Sequence, residues 1–409
     1  MIDLSKHQQE AFDKILNWWR MGSQADQRFV LAGYAGTGKT SLARVFEDYI
    51  GAENVLFLAY TGKAVNVLKD KGIKNASTIH SAIYQLSQKE QMELCKMQRD
   101  YAEAQAQGIS ENALMPLLGK ISSLKDKLAQ PQFVPSGMLN GDRISAPRLI
   151  IVDEYSMLDK EIVEDLERLS IRILYLGDPF QLPPVKEGGC PLEGKENFTL
   201  TEIHRQAEGS PILEAATRIR NFEPLEFGDF GAFKYLKSGF HTIDYVSYYR
   251  VENQIIVGTN RTKHNINTKM RRARGYTGLP TQMEKMICLK NNRDHGLFNG
   301  MMDHVAEDSF KEEERSLCYD LCLSDRPDVT HKVWTGDLTG EKYHFLDQKI
   351  NWMERFDFAY AITCHKSQGS EYDNVLVYRE RNSFQTDEEF QRWLYTAVTR
   401  GKNNVTLIH

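Results

Sequence analysis

A phosphate-binding loop is the most specific chemical pattern in the sequence. Residues 33–40 read GYAGTGKT, which matches GxxxxGK[ST], and a helix-like run, SLARVFEDYI, follows. In this pattern glycines let backbone N–H groups converge on phosphate oxygens, the lysine supplies a cation to the β and γ phosphates, and the hydroxyl holds Mg²⁺. A glycine-rich turn without a ligand is the competing interpretation, which a strand-like run before the loop and a helix after it disfavour. The residues predicted to bind ATP and Mg²⁺ are Gly33, Gly36, Thr37, Gly38, Lys39 and Thr40.

An acidic pair follows a second apolar run. The run is LIIV, at residues 149–152, and Asp153 and Glu154 come directly after it. Beside a phosphate loop, an Asp at a strand end can orient magnesium and a neighbouring Glu can activate the attacking water. Acidic pairs are also common on solvated surfaces, but the buried run before this pair favours catalysis.

Short apolar runs that must position these residues recur along the chain. Runs of this length, rich in Val, Ile and Leu, are typical of strands buried on both faces of a parallel sheet, with helices between them. The sequence therefore predicts the α/β class with two parallel sheets. The runs are 29–32, 55–59, 149–152 and 171–176 in the first half and 254–257, 374–378 and 405–408 in the second.

Composition limits the kinds of partner. The 409 residues are 41% hydrophobic and 26% charged, as in an ordinary globular enzyme of two or three domains. The net charge of −5 argues against a uniformly basic surface, so nucleic-acid contact is expected in a confined groove. The start is not leader-like and no run is long enough to cross a bilayer, so we expect a cytoplasmic protein with no membrane partner. The six cysteines lack zinc-like spacing and are expected to be buried thiols.

Two segments have a different character from the sheet pattern. Residues 86–147 predict an inserted helical hairpin, followed by a β-turn at Asn140 and Gly141. We interpret that turn, with Met138 and Leu139 at its tip, as a strand-separating wedge or as a loop that merely closes the insertion. Residues 291–350 contain alternating stretches and turn signals, and predict a small β module.

Nine short motifs occur in order along the chain and resemble those of superfamily 1B helicases, the RecD-like and Dda-like branch. The set spans residues 4–402. The resemblance implies two tandem RecA-like domains, 1–210 and 211–409, each with one of the two insertions. The motifs are Gln8 in LSKHQQEAF, GYAGTGKT, AYTGKAV from Ala59, STIHS from Ser77, DEYSM from Asp153, GDPFQLPPV from Gly177, LTEIHRQ from Leu200, YAITCHKSQGSEY from Tyr360 and YTAVTRGK from Tyr395.

The resemblance also implies an activity. It is that of an ATP-dependent DNA helicase that moves 5′ to 3′ on single-stranded DNA and opens forked duplexes, and we expect it to act as a monomer. The compact chain is similar to phage-encoded or stand-alone motors, and a phage-encoded motor would act in the host cytoplasm. Two rival functions remain open: a single-strand translocase that displaces proteins without unwinding, and a phosphate-loop ATPase or kinase independent of nucleic acid.

Residue roles in the nucleotide site follow from the same resemblance. A polar residue on a helix is the competing interpretation for the glutamine near the N-terminus, and an exposed ion pair is the competing one for the two arginines. The implied roles are adenine recognition for Gln8, magnesium binding for Thr40 and Asp153, water activation for Glu154, γ-phosphate sensing for Gln181, arginine fingers for Arg205 and Arg400, and ribose contact for Glu371, with Gly369 in the same motif.

A single-strand track is implied by further motif residues. Hydroxyls and single cations can hold phosphates without reading base sequence. For the two histidines in the set, a hydrogen-bonded core position is an equal alternative. Phe298 and Trp334 are candidates for base stacking or for the core. The track residues are Thr61, Lys63, Thr78, His80, Thr363, His365 and Lys366.

Overall fold

The computed structural model describes most of the chain outside the first predicted insertion. Between residues 86 and 146 only 94, 96–97, 99–101, 114, 116–121 and 134–135 are described. The predicted turn at Asn140 and Gly141, and most of the helical hairpin, lie outside the described residues, as does Arg205. The other described residues are 4–22, 26–85, 147–184, 188–202, 209–237, 253–290, 292, 295, 297–310, 317–339, 353–381 and 385–409.

The first half of the chain forms a six-stranded sheet with helices on both faces. Its elements are α1 (Lys6–Arg20), β1 (Arg28–Gly33), α2 (Lys39–Ile50), β2 (Val55–Ala59), α3 (Gly62–Asp70), β3 (Ala76–Thr78), α4 (Ile79–Ile83), β4 (Tyr84–Gln85), β5 (Val134–Pro135), β6 (Leu149–Val152), α5 (Lys160–Glu167), β7 (Arg172–Gly177) and β8 (Phe198–Leu200). The strand order is β3-β2-β6-β7-β1-β8, and every pair in it is parallel. β4 and β5 form a separate antiparallel pair.

Alternation along the strands divides the first core between the two faces of this sheet. Leu31 joins a cluster with α1 and α2 side chains such as Ile15 and Phe46, whereas the adjacent Val30 joins a cluster with Ile162 of α5. Because both faces are covered, β2 and β6 are buried at every position. The carboxyl ends of these parallel strands therefore meet at one edge, where the loops carry polar residues.

The second half repeats this architecture. Its elements are α6 (Pro211–Arg220), β9 (Gly228–Asp229), β10 (Phe233–Leu236), β11 (Asn253–Val257), α7 (Asn260–Ala273), β12 (Lys285–Cys288), β13 (Met302–His304), β14 (Cys318–Leu323), β15 (Arg326–Trp334), α8 (Gly336–Thr339), β16 (Phe356–Phe358), β17 (Ala361–Thr363), α9 (Cys364–Ser367), β18 (Tyr372–Tyr378), α10 (Asp387–Val398) and β19 (Gly401–Ile408). The sheet order is β17-β11-β18-β19-β10-β9, with only the β9 and β10 pair antiparallel.

Antiparallel strands lie in and around the second predicted insertion. β12 pairs with β13 and β16, and β14 pairs with β15 as a hairpin. These strands extend from Lys285 to Phe358 and so begin and end outside 291–350. Trp334 is 4% exposed and packs against Met353, so the core interpretation of this residue is right and base stacking is wrong.

The predicted α/β class with two parallel sheets is confirmed. The seven apolar runs coincide with strands of the two sheets, except that Ile171 precedes β7, and the strands β3, β8, β9, β10 and β17 were not predicted. Among the described residues, no helix combines the length and apolar character that crossing a bilayer requires.

Candidate nucleotide site and adjoining groove

The phosphate loop joins β1 to α2 in the geometry that its glycines permit. Gly38 has φ +79°, a left-handed conformation that glycine adopts without steric cost, and α2 begins at the next residue. Lys39 Nζ donates to the carbonyl oxygens of Gly33 at 2.6 Å and Tyr34 at 3.1 Å. Thr37 is buried, and its hydroxyl donates to the Tyr34 carbonyl at 2.8 Å. The loop is therefore ordered by its own backbone and the lysine.

Gln8 supports this loop from α1. Its side chain is 3% exposed, Nε2 donates to the Thr37 carbonyl at 3.0 Å, and Oε1 accepts from Ser5 N at 3.0 Å in a capping box. A Cβ on Gly38 would lie 2.4 Å from Gln8 Nε2, so a side chain at that position would displace the glutamine. Adenine recognition by Gln8 stays a prediction, while its contact with the loop is a structural fact.

A cavity of about 470 Å³ opens beside the loop and is lined from both sheets. Gln8 and the loop residues Gly33 and Thr37 are not in the lining, although Gln8 contacts the loop at the Thr37 carbonyl. Arg205 lies outside the described residues. Lys71 and Lys402 also line the cavity and were not predicted from the sequence. Lys402 Nζ lies 3.6 Å from Glu371 Oε2. The signal for Lys402 was its place directly after Arg400 and Gly401. The predicted residues that line the cavity are Gly36, Gly38, Lys39, Thr40, Asp153, Glu154, Gln181, Gly369, Glu371 and Arg400.

The acidic pair sits at the end of β6. The pKa of Asp153 is raised to about 6, mainly by burial and then by the Glu154 carboxylate, against the opposing effect of Lys39. Glu154 has φ 58° and ψ 53°, a left-handed backbone that non-glycine residues seldom adopt. The Glu154 carboxylate lies near Arg400, which comes from the second half of the chain.

Gln181 and Arg400 meet Glu154 across the cavity. Arg400 Nη1 lies 3.9 Å from Glu154 Oε1. With its nitrogen toward the carboxylate, the Gln181 amide donates to Glu154 Oε2 at 3.2 Å and accepts from Arg400 Nη2 at 3.2 Å. Arg400 is 4% exposed and is held by the carbonyls of Thr396 at 3.1 Å and Ser370 at 3.3 Å. The exposed-ion-pair interpretation of Arg400 is therefore wrong.

A second cavity, of about 850 Å³, forms a groove between the two sheets. Thr61, Thr363, His365 and Lys366 line it together. Thr61 caps α3 by accepting from Ala64 N at 3.2 Å. Burial lowers the pKa of His365 and of Lys366. The His365 imidazole and the half-buried Lys366 side chain thus face the groove.

The groove also holds charges that the motif reading missed. Arg261, Lys263 and His264 of α7 line it, and Lys263 pairs with Asp357 at 2.5 Å. Arg355 pairs with Asp337, also in the lining. The available signal was the run NRTKHN at 260–265, which follows an apolar run that was predicted as a strand.

Three predicted track residues do not line the groove. The Lys63 ammonium lies 4.1 Å from the centroid of the Tyr372 ring, and its pKa is lowered to about 7 by burial and by nearby Lys285 and Lys402. Thr78 accepts from Ser81 N at 3.1 Å at the start of α4. His80 packs edge-on against Tyr60, which itself lines the groove.

Phe298 contacts the first turn of α3. It is partly buried, and a Cβ on Gly62 would lie 2.6 Å from Phe298 Cβ. Beside it, Asn299 Oδ1 accepts from Lys366 Nζ at 2.7 Å. Base stacking by Phe298 remains a prediction, and the observed packing partner is the backbone of Gly62.

Two protein families match separate parts of the chain. The AAA domain family matches residues 3–230, and the UvrD-like helicase C-terminal domain matches residues 358–408. The first match includes the phosphate loop, the acidic pair and Gln181. The second includes Glu371 and Arg400.

Several known proteins are similar to this chain. The ATP-dependent RecD2 DNA helicase of Deinococcus radiodurans is 24% identical over 403 residues, covering 91% of this chain and 46% of that protein. The ATP-dependent DNA helicase dda of Enterobacteria phage T4 is 22% identical, covering 98% of each. The chain spans less than half the length of three of the relatives it matches.

Solved structures share the fold. The Pif1 helicase from Candida albicans has a TM-score of 0.51 at 17% identity, covering 100% of this chain and 95% of that one. A Bacteroides Pif1 helicase crystallised with ADP-AlF3 and single-stranded DNA has a TM-score of 0.52 at 18% identity, covering 100% and 92%. At this identity the likeness concerns the fold alone.

Proposed function

We propose that this chain, which belongs to the AAA domain family and to the RecD-, Dda- and Pif1-like superfamily 1B helicases, is an ATP-driven motor on single-stranded DNA. The observation that carries the proposal is the nucleotide cavity, which Lys39 and Glu154 line from the first half of the chain and Arg400 lines from the second. A site divided between two sheets couples the chemistry in it to their relative position.

The nucleotide site would work as follows. Lys39 and the loop N–H groups hold the β and γ phosphates, and Glu154 orients and activates the attacking water. Gln181 senses the γ phosphate and is hydrogen-bonded to both Glu154 and Arg400. Arg400 stabilises the charge that develops in the transition state. Glu371 is proposed to contact the ribose, and Gln8 the adenine. Arg205 is a second proposed arginine finger.

The donor set near the loop fits a magnesium ion. Thr40 and Asp153 line the same cavity and offer the oxygen ligands that Mg²⁺ prefers. Asp153 is a buried carboxyl whose pKa is raised mainly by burial and then by the Glu154 carboxylate, and a divalent cation would favour its ionised form. Bound with ATP, the ion would neutralise phosphate charge.

The groove is proposed to hold the DNA strand. Thr61, Thr363, His365 and Lys366 line one cavity and present hydroxyls, one imidazole and one ammonium, a set suited to phosphates without base selection. We add Arg261 and His264, which line the same cavity. Contact by Thr78, His80 and Lys63 remains a prediction that would need these residues to move toward the strand.

The similar proteins support duplex opening rather than translocation alone. RecD2 and dda are both named ATP-dependent DNA helicases. By resemblance we propose 5′ to 3′ movement by a monomer on single-stranded and forked DNA. Closure of the nucleotide cavity around ATP, and its release after hydrolysis, would alternate the grip of the two halves of the groove.

Two assays test the proposal. ATP hydrolysis is measured with and without single-stranded DNA, and strand separation is measured on forks carrying a 5′ or a 3′ single-stranded tail. We expect stimulation by the single strand and opening of the 5′-tailed fork only. Hydrolysis that ignores DNA would identify an ATPase or kinase of another kind. Stimulation without opening of either fork would identify a translocase, and preference for the 3′ tail would overturn the direction.

A further inference from the structure

The hydroxyl group of Tyr395 joins the two halves of the nucleotide site. Tyr395 lies on α10 and is 1% exposed. Its hydroxyl donates to Asp178 Oδ2 at 2.6 Å and accepts from Ala35 N at 3.0 Å. Ala35 belongs to the phosphate loop, and Asp178 directly follows β7. One phenol from the second half of the chain thus holds two segments of the first.

The segment that begins at Asp178 is held by α10 at more than one point. Asp178 is fully buried, and its Oδ1 accepts from Phe180 N at 3.0 Å. The Phe180 ring packs edge-on against Tyr395 at 5.3 Å. Four residues after Asp178, Leu182 N donates to Thr396 Oγ1 at 2.9 Å. Gln181 lies between these contacts, so α10 determines where its amide stands.

The same helix also determines the position of Arg400. Arg400 follows α10 by two residues, and its Nε donates to the Thr396 carbonyl at 3.1 Å. The same helix therefore positions Tyr395, which bonds to the phosphate loop, and Arg400, which lies near Glu154. Burial raises the pKa of the Tyr395 hydroxyl well above its ordinary value, so the phenol remains a donor at neutral pH.

We propose that Tyr395 is a positioning residue that couples Arg400 and Gln181 to the phosphate loop through its shared hydrogen bonds to Ala35 and Asp178. When the cavity closes on ATP, the phenol keeps the position of α10 fixed relative to the phosphate loop. The Arg400 guanidinium then lies next to the phosphate on which charge develops. The inference rests on the proposed ATP-hydrolysing function and adds a residue to it that does not itself touch the reacting atoms.

Tyr395→Phe is the direct test because it keeps the ring and its packing while removing the hydroxyl. We expect kcat for ATP hydrolysis in the presence of single-stranded DNA to fall by about 10- to 100-fold, the loss that one charge-assisted hydrogen bond acting in the transition state would cause. The KM for ATP and the Kd for single-stranded DNA should change by less than about threefold, because the groups that bind both ligands remain.

Tyr235→Phe is the matched control. The Tyr235 hydroxyl bonds to His409 Nδ1 at 3.2 Å, and Tyr235 lines neither cavity. This variant should hydrolyse ATP at the parent rate. Asp178→Asn is a second test, because Asp178 and Ala35 bond to the same Tyr395 hydroxyl. Tyr395→Phe already removes both bonds, so the double variant Tyr395→Phe, Asp178→Asn should be little slower than the slower single variant.

The outcomes separate the inference from its premise. A parent protein that hydrolyses no ATP with single-stranded DNA refutes the proposed function, and this is visible without any variant. If the parent is active, a Tyr395→Phe kcat within twofold of the parent overturns the inference. It is also overturned if the variant loses its folded state in a thermal melt, because the phenol would then serve stability. Losses that multiply in the double variant overturn it too, because Tyr395 and Asp178 would then act independently.

Discussion

Replacing Arg400 by alanine should slow DNA-stimulated ATP hydrolysis by about a thousandfold while leaving nucleotide affinity nearly unchanged. Arg400 Nη1 lies 3.9 Å from Glu154 Oε1, and we work the magnitude for the same separation between this cation and the charge that develops on the phosphate. At that distance two unit charges interact by about 4 kcal/mol at an effective dielectric constant of about 20. Each ~1.4 kcal/mol in the barrier is a factor of ten in rate, which gives about three factors of ten.

Stability must be measured in the same experiment because Arg400 is buried. The substitution removes hydrogen bonds to the carbonyls of Thr396 and Ser370, at a cost of about 2–4 kcal/mol in the free energy of unfolding. Arg400→Lys keeps the charge but not the planar fork, so an intermediate loss of about 10- to 100-fold is expected. Arg381→Ala, which removes an exposed partner of Asp387, is the matched control and should be neutral.

The assay is steady-state hydrolysis at saturating single-stranded DNA, with nucleotide affinity measured by equilibrium binding and folding measured by thermal melting. A folded Arg400→Ala protein with a kcat within threefold of the parent would refute the assignment. A large loss of ATP affinity with an unchanged kcat would instead make Arg400 a ground-state binding residue.

Three further predictions concern the first half of the chain. Lys39→Ala should abolish hydrolysis while single-strand binding persists, and appreciable turnover in a binding-competent variant would contradict the loop assignment. Gln8→Ala should lower the free energy of unfolding in urea by about 1–2 kcal/mol and raise the KM for ATP, since it removes both the capping box of α1 and the contact with the Thr37 carbonyl; unchanged values would show that the loop stands without it. Because the pKa of Lys63 is about 7 in the folded chain against an ordinary 10.5, the unfolded chain binds the extra proton between these values. The free energy of unfolding of the parent should therefore rise with pH through this window relative to Lys63→Met, and parallel pH profiles of the two proteins would contradict the shift.

The fold was predictable from the sequence where the residues of a strand form an apolar pattern by themselves. β2 and β6 are continuous apolar runs because both faces are covered, so the pattern alone indicates them. β3 reads Ala-Ser-Thr and is half-buried throughout, and β17 is only three residues long. Their place in the sheets comes from pairing with distant strands, which a local pattern does not contain.

The site was predictable to the extent that its chemistry is local. The phosphate loop and acidic pair are contiguous motifs, and the family predicted from the motif order is confirmed. In contrast, Lys63 belongs to a motif of the implied track, yet its ammonium lies on Tyr372, more than 300 residues later. The groove cations of α7 were missed for the opposite reason: only the tertiary arrangement turns that helix toward the cavity.

At Glu154 the left-handed backbone lowers the stability of the fold, whereas the glutamate side chain is proposed to be needed for activity. A non-glycine residue in this conformation costs about 1–2 kcal/mol, which asparagine or glycine would largely recover. Variants selected only for resistance to heat should therefore lose the glutamate, and variants selected for turnover should keep it. The identity of residue 154 in a laboratory-evolved population would thus record which of the two pressures had acted on it.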